Sequence, residues 1–151
     1  MIRRTLRLEA FKERPFELWN LFVDLVAKEN YIDLNAVQRI AHLAFWYDSE
    51  VQNGGHLQYF ENRGLGELDE TSAALLELGA DCQHRVLRQA GRVFASKPRE
   101  HIENAAQYVA TALCGEYDAL DSAYYACNPG IQQLLMDYLT LYRDQFVEIL
   151  E

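Results

Sequence analysis

The chain has 151 residues, half of them hydrophobic, which fits one domain with its own core and leaves little room for a second. Its formal net charge of −9 argues against direct binding to nucleic acid or anionic lipid, because both need clustered cations. No stretch has the roughly 18 apolar residues of a membrane span, and the N-terminus lacks a secretion signal, so we expect a cytoplasmic protein.

The N-terminal residues 1–14 are predicted to be an arm or a short first element before a single helical domain over 15–151. Leu6, Leu8 and Ala10 alternate imperfectly, which leaves an extended arm and a frayed helix both open. The first clear helix is predicted to begin at Pro15, a residue favoured at the first helical position, and to end at Lys28.

The remaining chain shows helical periodicity divided by glycines and prolines. Asp33 is the expected cap of a helix that ends at Gly54. Further helices are predicted over about 55–64, 69–79, 81–97, 99–115, 117–128 and 130–150. In the helix after Arg99, Ile102, Ala106, Val109 and Leu113 continue the period of a core face. The sequence therefore predicts an all-α protein with about seven or eight helices and no strand outside the N-terminus.

The three cysteines, Cys82, Cys114 and Cys127, are odd in number and widely spaced. This spacing suits neither a disulfide framework nor a CxxC metal site, so we expect reduced, structural thiols. The four histidines are scattered and no Glu-x-x-His pair occurs, so neither a metal nor a cofactor is expected. Motifs for a nucleophilic serine or for phosphate binding are also missing.

A polar corner is predicted where the helix ending at Gly54 meets the next one. Gly54 and Gly55 supply backbone conformations that close a helix, because glycine has no Cβ. The other polar members of the corner are Glu50, Asn53, His56, Gln58 and Asn62. Two interpretations stay open: the polar groups satisfy one another, or they form a notch for a ligand or a partner.

A longer motif surrounds this corner. It reads Trp46-Tyr47-x-x-Glu50-Val51-x-Asn53-Gly54-Gly55-x-x-Gln58-Tyr59-Phe60-x-Asn62, then Leu76-Glu77-x-Gly79-Ala80, Leu120-Asp121-x-x-Tyr124-Tyr125, Leu134-Leu135-x-x-Tyr138-Leu139 and Phe146. Over about 34–147 the chain resembles a bacterial family of DNA-mimic proteins, otherwise described as a domain of unknown function. The resemblance implies an all-helical, acidic homodimer that presents carboxylates in place of DNA phosphates to a DNA-binding regulator. His56 stands where the family usually has Phe.

Charge is unevenly distributed along the chain. Residues 82–99 hold five Lys or Arg and no acid, whereas residues 100–151 hold nine acids and one Arg. In the predicted last helix, Asp137, Asp144 and Glu148 share one face over about 16 Å. We predict a partner-binding acidic face in the C-terminal half, made of Glu116, Asp118, Asp121, Asp137, Asp144 and Glu148.

The expected function is therefore that of a noncatalytic acidic protein that binds a basic or DNA-binding protein. Two alternatives stay open. One is an immunity-like antidote to a basic toxin. The other is a small-molecule or enzymatic site at the corner, with Glu50 as general base and His56, Gln58 and Asn62 orienting the ligand.

Overall fold

Nine α-helices and two short strands follow one another in the computed structural model, which describes residues 1–151. In chain order they are β1 (Arg4–Arg7), α1 (Leu8–Glu13), α2 (Phe16–Lys28), α3 (Ala36–Arg63), α4 (Leu68–Leu78), α5 (Asp81–Ala95), α6 (Ala105–Leu113), α7 (Asp118–Ala126), α8 (Ile131–Leu141), α9 (Arg143–Phe146) and β2 (Val147–Leu150). The predicted all-α class is confirmed, and seven helices have seven or more residues. None of the helices has the length and apolar character that crossing a membrane requires.

The longest helix, α3, forms the centre of the core. Twelve of its 28 residues are buried, and α2, α4, α7 and α8 pack around it. Large side chains from five helices (α2, α3, α4, α5 and α9) belong to this core and are fully buried, among them Phe22, Tyr47, Leu75, Leu87 and Phe146. Burial of this kind contributes about 1.5–3 kcal/mol per large apolar side chain, so α3 is the element on which the other helices depend.

The first turn of α3 corrects one predicted cap. Asn35, rather than Asp33, is the N-cap: its side chain accepts from the Gln38 backbone N–H at 2.9 Å, and Gln38 Oε1 accepts from the Asn35 N–H at 3.0 Å. This reciprocal pair is a capping box. Asp33 instead lies in a short 3₁₀ turn, Tyr31–Asp33, just before it.

The chain ends pair with each other, which the helical prediction for 130–150 missed. That helix stops at Leu141, and the last residues form β2, parallel to β1 with Arg4 opposite Val147 and Leu6 opposite Ile149. β-Branched residues at 147 and 149 favour an extended backbone, and Val147 is fully buried. The N-terminal residues are therefore both extended and helical, as β1 followed directly by α1.

The prediction of three reduced cysteines is wrong for two of them. Cys82, in the first turn of α5, and Cys127, at the C-cap of α7, form a disulfide whose Cα atoms are 5.8 Å apart. The two residues are 45 positions apart, and only the packing of α5 against α7 brings them together. Cys114 is free and exposed.

The helix α6 differs from its prediction in both its start and its orientation. It begins at Ala105, where the Asn104 side chain accepts from the Gln107 N–H at 2.9 Å. None of its residues is buried. The apolar face expected to point into the core, including Val109 and Leu113, faces solvent.

Candidate functional site

The corner is a break inside α3. Gly54 (φ −153°, ψ 21°) and Gly55 (φ 68°, ψ −171°) leave the helical region, and the second half of α3 continues in a new direction. A Cβ on Gly55 would collide with the Asp121 carboxylate of α7. A Cβ on Gly54 would lie 2.8 Å from Gln58 Cβ and 2.9 Å from the Tyr108 hydroxyl. Both glycines are thus required by close approach, and Gly55 also by its positive φ.

The break leaves backbone groups without their helical partners, and side chains from α6 and α7 supply replacements. Tyr125 donates its hydroxyl to the Val51 carbonyl at 3.0 Å, and Tyr108 donates to the Gly54 carbonyl at 3.3 Å. On the other side of the break, the His56 N–H donates to Asp121 Oδ1 at 3.0 Å. The two half-helices are therefore capped by residues distant in sequence, as helix ends require.

A buried polar chain extends from the same carboxylate. Asp121 Oδ1 lies 2.6 Å from His56 Nδ1, and His56 Nε2 lies 2.7 Å from the Tyr47 hydroxyl. Because a carboxylate only accepts, Nδ1 donates to Asp121, and Nε2 shares the second hydrogen bond with the Tyr47 hydroxyl. His56 and Tyr47 are fully buried, and burial raises the pKa of Tyr47 well above its ordinary value.

The aromatic ring of Tyr124 packs edge-on against the rings of Tyr47 and His56. Its hydroxyl donates to Asp48 Oδ1. Burial and the Asp48 carboxylate raise the pKa of Tyr124. The His56 imidazole thus has a hydrogen-bond partner at each ring nitrogen.

The amide side chains of the corner converge on Glu50. Its Oε2 accepts from Gln58 Nε2 and from Asn62 Nδ2, each at 2.8 Å, and Asn53 Nδ2 donates to Gln58 Oε1 at 2.8 Å. Glu50 is 8 % exposed, and Arg63 Nε lies 4.0 Å from its other oxygen. These bonds span the break and join its two halves, which favours a bracing role for Glu50 over that of a general base.

A small cavity of about 70 Å³ lies beside the corner, between the Gly54 backbone and α7. Tyr117 lines it, and the hydroxyl of this residue is buried without a hydrogen-bond partner. Burial raises the pKa of Tyr117 to about 12. The volume suits a few water molecules, each of which takes about 30 Å³ in the liquid. No group of three or more His, Cys, Asp or Glu side chains is arranged to hold a metal ion.

Comparison with protein-family models agrees with the motif around this corner. The family model described as DMP19-like protein matches residues 32–142. The chain belongs to the DMP19-like family. The resemblance to DNA-mimic proteins is thereby confirmed. A search of curated proteins and a search of solved structures found no significant match.

The DMP19-like match contains the corner and the helices α3–α8, whereas the β1–β2 pair lies outside it. The residues that cap the break and bury its histidine are all inside the match, at 47, 108, 121 and 125. The family-matched part of the chain is thus the part that encloses the corner.

The predicted acidic row of this DMP19-like chain does not exist as one helix face. Asp137 is on α8, Asp144 on α9 and Glu148 on β2. Asp144 pairs with Arg143 at 2.8 Å, and Glu148 pairs with Arg3 at 3.2 Å. Because α8 ends at Leu141, residues at i, i+7 and i+11 no longer lie on one continuous helix, and they do not share a face.

The other predicted acidic residues also have separate roles. Glu116 accepts from Arg99 Nη1 and Nη2 at 2.6 and 2.7 Å, and this hydrogen-bonded pair lowers the pKa of Glu116. Asp121 caps the break in α3. Asp118, the first residue of α7, is exposed and has no salt bridge.

Three tyrosines complete the DMP19-like corner: Tyr47 and Tyr125, which the sequence motif contains without assigning them to the corner, and Tyr108, which the sequence analysis did not identify. A signal for two of them was present. A helix broken at two glycines has unpaired carbonyls, and these need donors from elsewhere in the chain. Tyr hydroxyls in the segments after residue 104 were available donors, although nothing in their spacing assigned them to the corner.

Proposed function

We propose that this chain binds a DNA-binding protein by presenting carboxylates where that protein would otherwise meet DNA phosphates, without catalysing a reaction. The observation that supports this proposal is membership of the DMP19-like family, which suggests a DNA-mimic function. The partner is proposed to be basic at the contact surface, because carboxylates attract cations as phosphates do.

The charge of the C-terminal half supports the same proposal. Among its nine acids, Glu116, Asp121, Asp144 and Glu148 have partners within the chain. No basic side chain forms a salt bridge with Glu100, Glu103, Asp118 or Asp137, and all four are exposed. These unpaired carboxylates are the groups most able to replace phosphates, because they need give up no existing ion pair.

The six residues proposed as the partner-binding face therefore contribute unequally. We expect Asp118 and Asp137 to contribute most, since neither forms a salt bridge. Asp144 and Glu148 remain members that must exchange an Arg neighbour for the partner. Glu116 and Asp121 are proposed to support the face indirectly, because their bonds to Arg99 and His56 hold α7 in place.

A pulldown followed by competition with DNA tests the proposal. The immobilised chain is incubated with a bacterial extract at low salt, bound proteins are identified by mass spectrometry, and duplex DNA is then added. We expect a captured protein that binds DNA and is released both by duplex DNA and by rising salt, because exposed charges are screened beyond about 10 Å at 0.1 M. A captured protein that holds DNA and this chain simultaneously would contradict mimicry.

Two charge-reversal variants assign the interaction to a surface. Asp118→Lys with Asp137→Lys should abolish capture. The matched control, Glu13→Lys with Asp33→Lys, changes the net charge equally at exposed acids outside the C-terminal half and should retain capture. Equal losses in both variants would show only nonspecific charge attraction, and capture of a basic protein without DNA affinity would favour the antidote interpretation.

A further inference from the structure

The exposed helix α6 has the sequence of a buried helix. Ala106, Val109, Ala110 and Leu113 recur at i, i+3, i+4 and i+7, the spacing of one apolar face. All four are exposed, with 54 % of Val109 and 82 % of Leu113 accessible to solvent. This face leaves water only if another molecule covers it.

Local interactions, rather than core packing, hold α6 in helical form. Asn104 caps its first turn, and Gln107 Oε1 accepts from the Glu103 N–H at 2.6 Å. Tyr108 lies on the opposite side of the helix. Its hydroxyl donates to the Gly54 carbonyl at 3.3 Å and so links α6 to the corner. The apolar face is therefore presented as a preformed helix, which lowers the ordering cost of binding.

A groove of about 440 Å³ runs beside this face. Ala110 belongs to both the face and the groove, so the two surfaces are continuous. Leu57, Phe94 and Ile102 add apolar lining, and Glu61 and Glu100 lie among the lining residues. We call the apolar face and this groove together the α6 surface.

Carboxylates without salt bridges surround the α6 surface. Glu61 and Glu100 line the groove, and Glu103 immediately precedes the capping residue of α6. The two cations of the groove, Lys97 and Arg99, are already paired with Glu116. The surface is thus apolar at its centre and negative at its edge, and the complementary partner has an apolar stripe flanked by cations.

We propose that the α6 surface docks an amphipathic helix with Lys or Arg on each side of its apolar stripe, contributed by the DNA-binding partner. This inference rests on the proposed function and adds to its acidic face a second contact region, together with the segment of the partner that occupies it. Such helices bind apolar grooves through residues at i, i+3, i+4 and i+7. The carboxylates at the edge select a basic helix over an acidic one.

A second copy of this chain is a poorer occupant of the same surface. A symmetric contact would bring Glu100 and Glu103 close to their own copies, and like charges oppose association.

Peptide titration monitored by amide chemical shifts tests this docking site. The ¹⁵N-labelled chain is titrated with a 16-residue synthetic peptide that has Leu at i, i+3, i+4 and i+7 and Arg beside them. One control peptide has the same composition in scrambled order, and another has Glu in place of Arg. We expect the patterned basic peptide to shift amides in α6 and along the groove, with weak or no effect from either control.

Matched variants locate the contact. Val109→Ser with Leu113→Ser should weaken binding of the patterned peptide at least about tenfold, because two apolar side chains leave the contact. The control, Ile32→Ser with Leu141→Ser, removes two apolar side chains that are 80 % and 72 % exposed elsewhere and should leave binding unchanged. Shifts away from α6, or equal binding of the scrambled peptide, would overturn the proposal, as would α6 shifts that follow protein concentration without peptide, which indicate a second copy.

The outcome is separable from that of the proposed function. If the patterned peptide fails and the captured DNA-binding protein still competes with DNA, the proposed function stands without this surface. If the peptide binds α6 as expected and no captured protein competes with DNA, the surface stands and DNA mimicry fails.

Discussion

The corner in α3 and the helix α6 are neighbours, and they differ in which kind of side chain lacks its usual surroundings. At the corner, polar side chains bond to one another across the break, and the two central groups Glu50 and His56 are buried. In α6, apolar side chains are exposed and have no neighbours to cover them. The polar groups of the corner find their hydrogen-bond partners within one chain, whereas we propose that the apolar face of α6 is covered by another molecule.

This difference shows what a hydrophobic pattern means physically. The spacing of Ala106, Val109 and Leu113 indicates which side of the helix is stabilised by burial away from water. It does not state which molecule covers that side. Exposed apolar patches with a polar edge are typical of interaction sites, and α6 has this composition.

The largest expected effect comes from Gly55→Ala, which should break the corner. We expect the free energy of unfolding to fall by about 4 kcal/mol, because the positive φ is strained for alanine and the Asp121 carboxylate must move from its bonds. Urea unfolding followed by circular dichroism measures the loss.

Gly64→Ala is the matched control for this substitution. Gly64 also has a positive φ, 56°, but an added Cβ there meets nothing within 4 Å. It should lose only the cost of backbone strain, about 2 kcal/mol. Equal losses at the two glycines would mean that contact with Asp121 contributes nothing.

The second expected effect concerns the buried polar chain. His56→Phe should lower the free energy of unfolding by about 2 kcal/mol, because the Tyr47 hydroxyl is left buried without a partner. Tyr47→Phe in the same chain should restore most of this loss, since removing both partners is nearly neutral. A double-mutant cycle measures the coupling, and additive losses would argue against the hydrogen bond.

The third expected effect is smaller and tests the brace across the break. Glu50→Gln should cost about 1.5 kcal/mol, because two amide donors lose a charged acceptor. Glu77→Gln, at an exposed carboxylate, is the control and should change stability by less than about 0.5 kcal/mol. No loss at Glu50 would favour a ligand-binding role for this carboxylate.

The smallest expected effect belongs to α6. Leu113→Ser should change the free energy of unfolding by less than about 0.5 kcal/mol, because this leucine has no packing to lose. Leu75→Ala, at a fully buried leucine of α4, should cost about 2–5 kcal/mol in the same assay. A large loss at Leu113 would show that α6 supports the fold.

Most of the fold was predictable because it depends on local signals. Lys28 ends α2 as predicted, Gly79 closes α4 in the left-handed conformation, and the break falls at Gly54 and Gly55. The parallel β1–β2 pair and the Cys82–Cys127 disulfide were not predictable. Both join residues far apart in sequence, and local periodicity carries no information about such contacts.

The sequence predicted which residues form the corner better than it predicted the hydrogen bonds among them. The corner residues were identified from two glycines and the surrounding polar groups, and Gln58 and Asn62 do share one face toward Glu50. Asp121 was assigned to an acidic face, yet it caps α3 from α7. Its role depends on the packing of α7 against α3, which the sequence does not state.

The β1–β2 pair also sets how the molecule responds to mechanical force. Because the strands are parallel, tension applied to Met1 and to Glu151 pulls on opposite ends of the ladder between Arg4–Arg7 and Val147–Leu150. The backbone hydrogen bonds are then loaded together in shear rather than opened one after another. A force applied along the chain therefore meets its first resistance at the two ends, before α3 and its break carry any load.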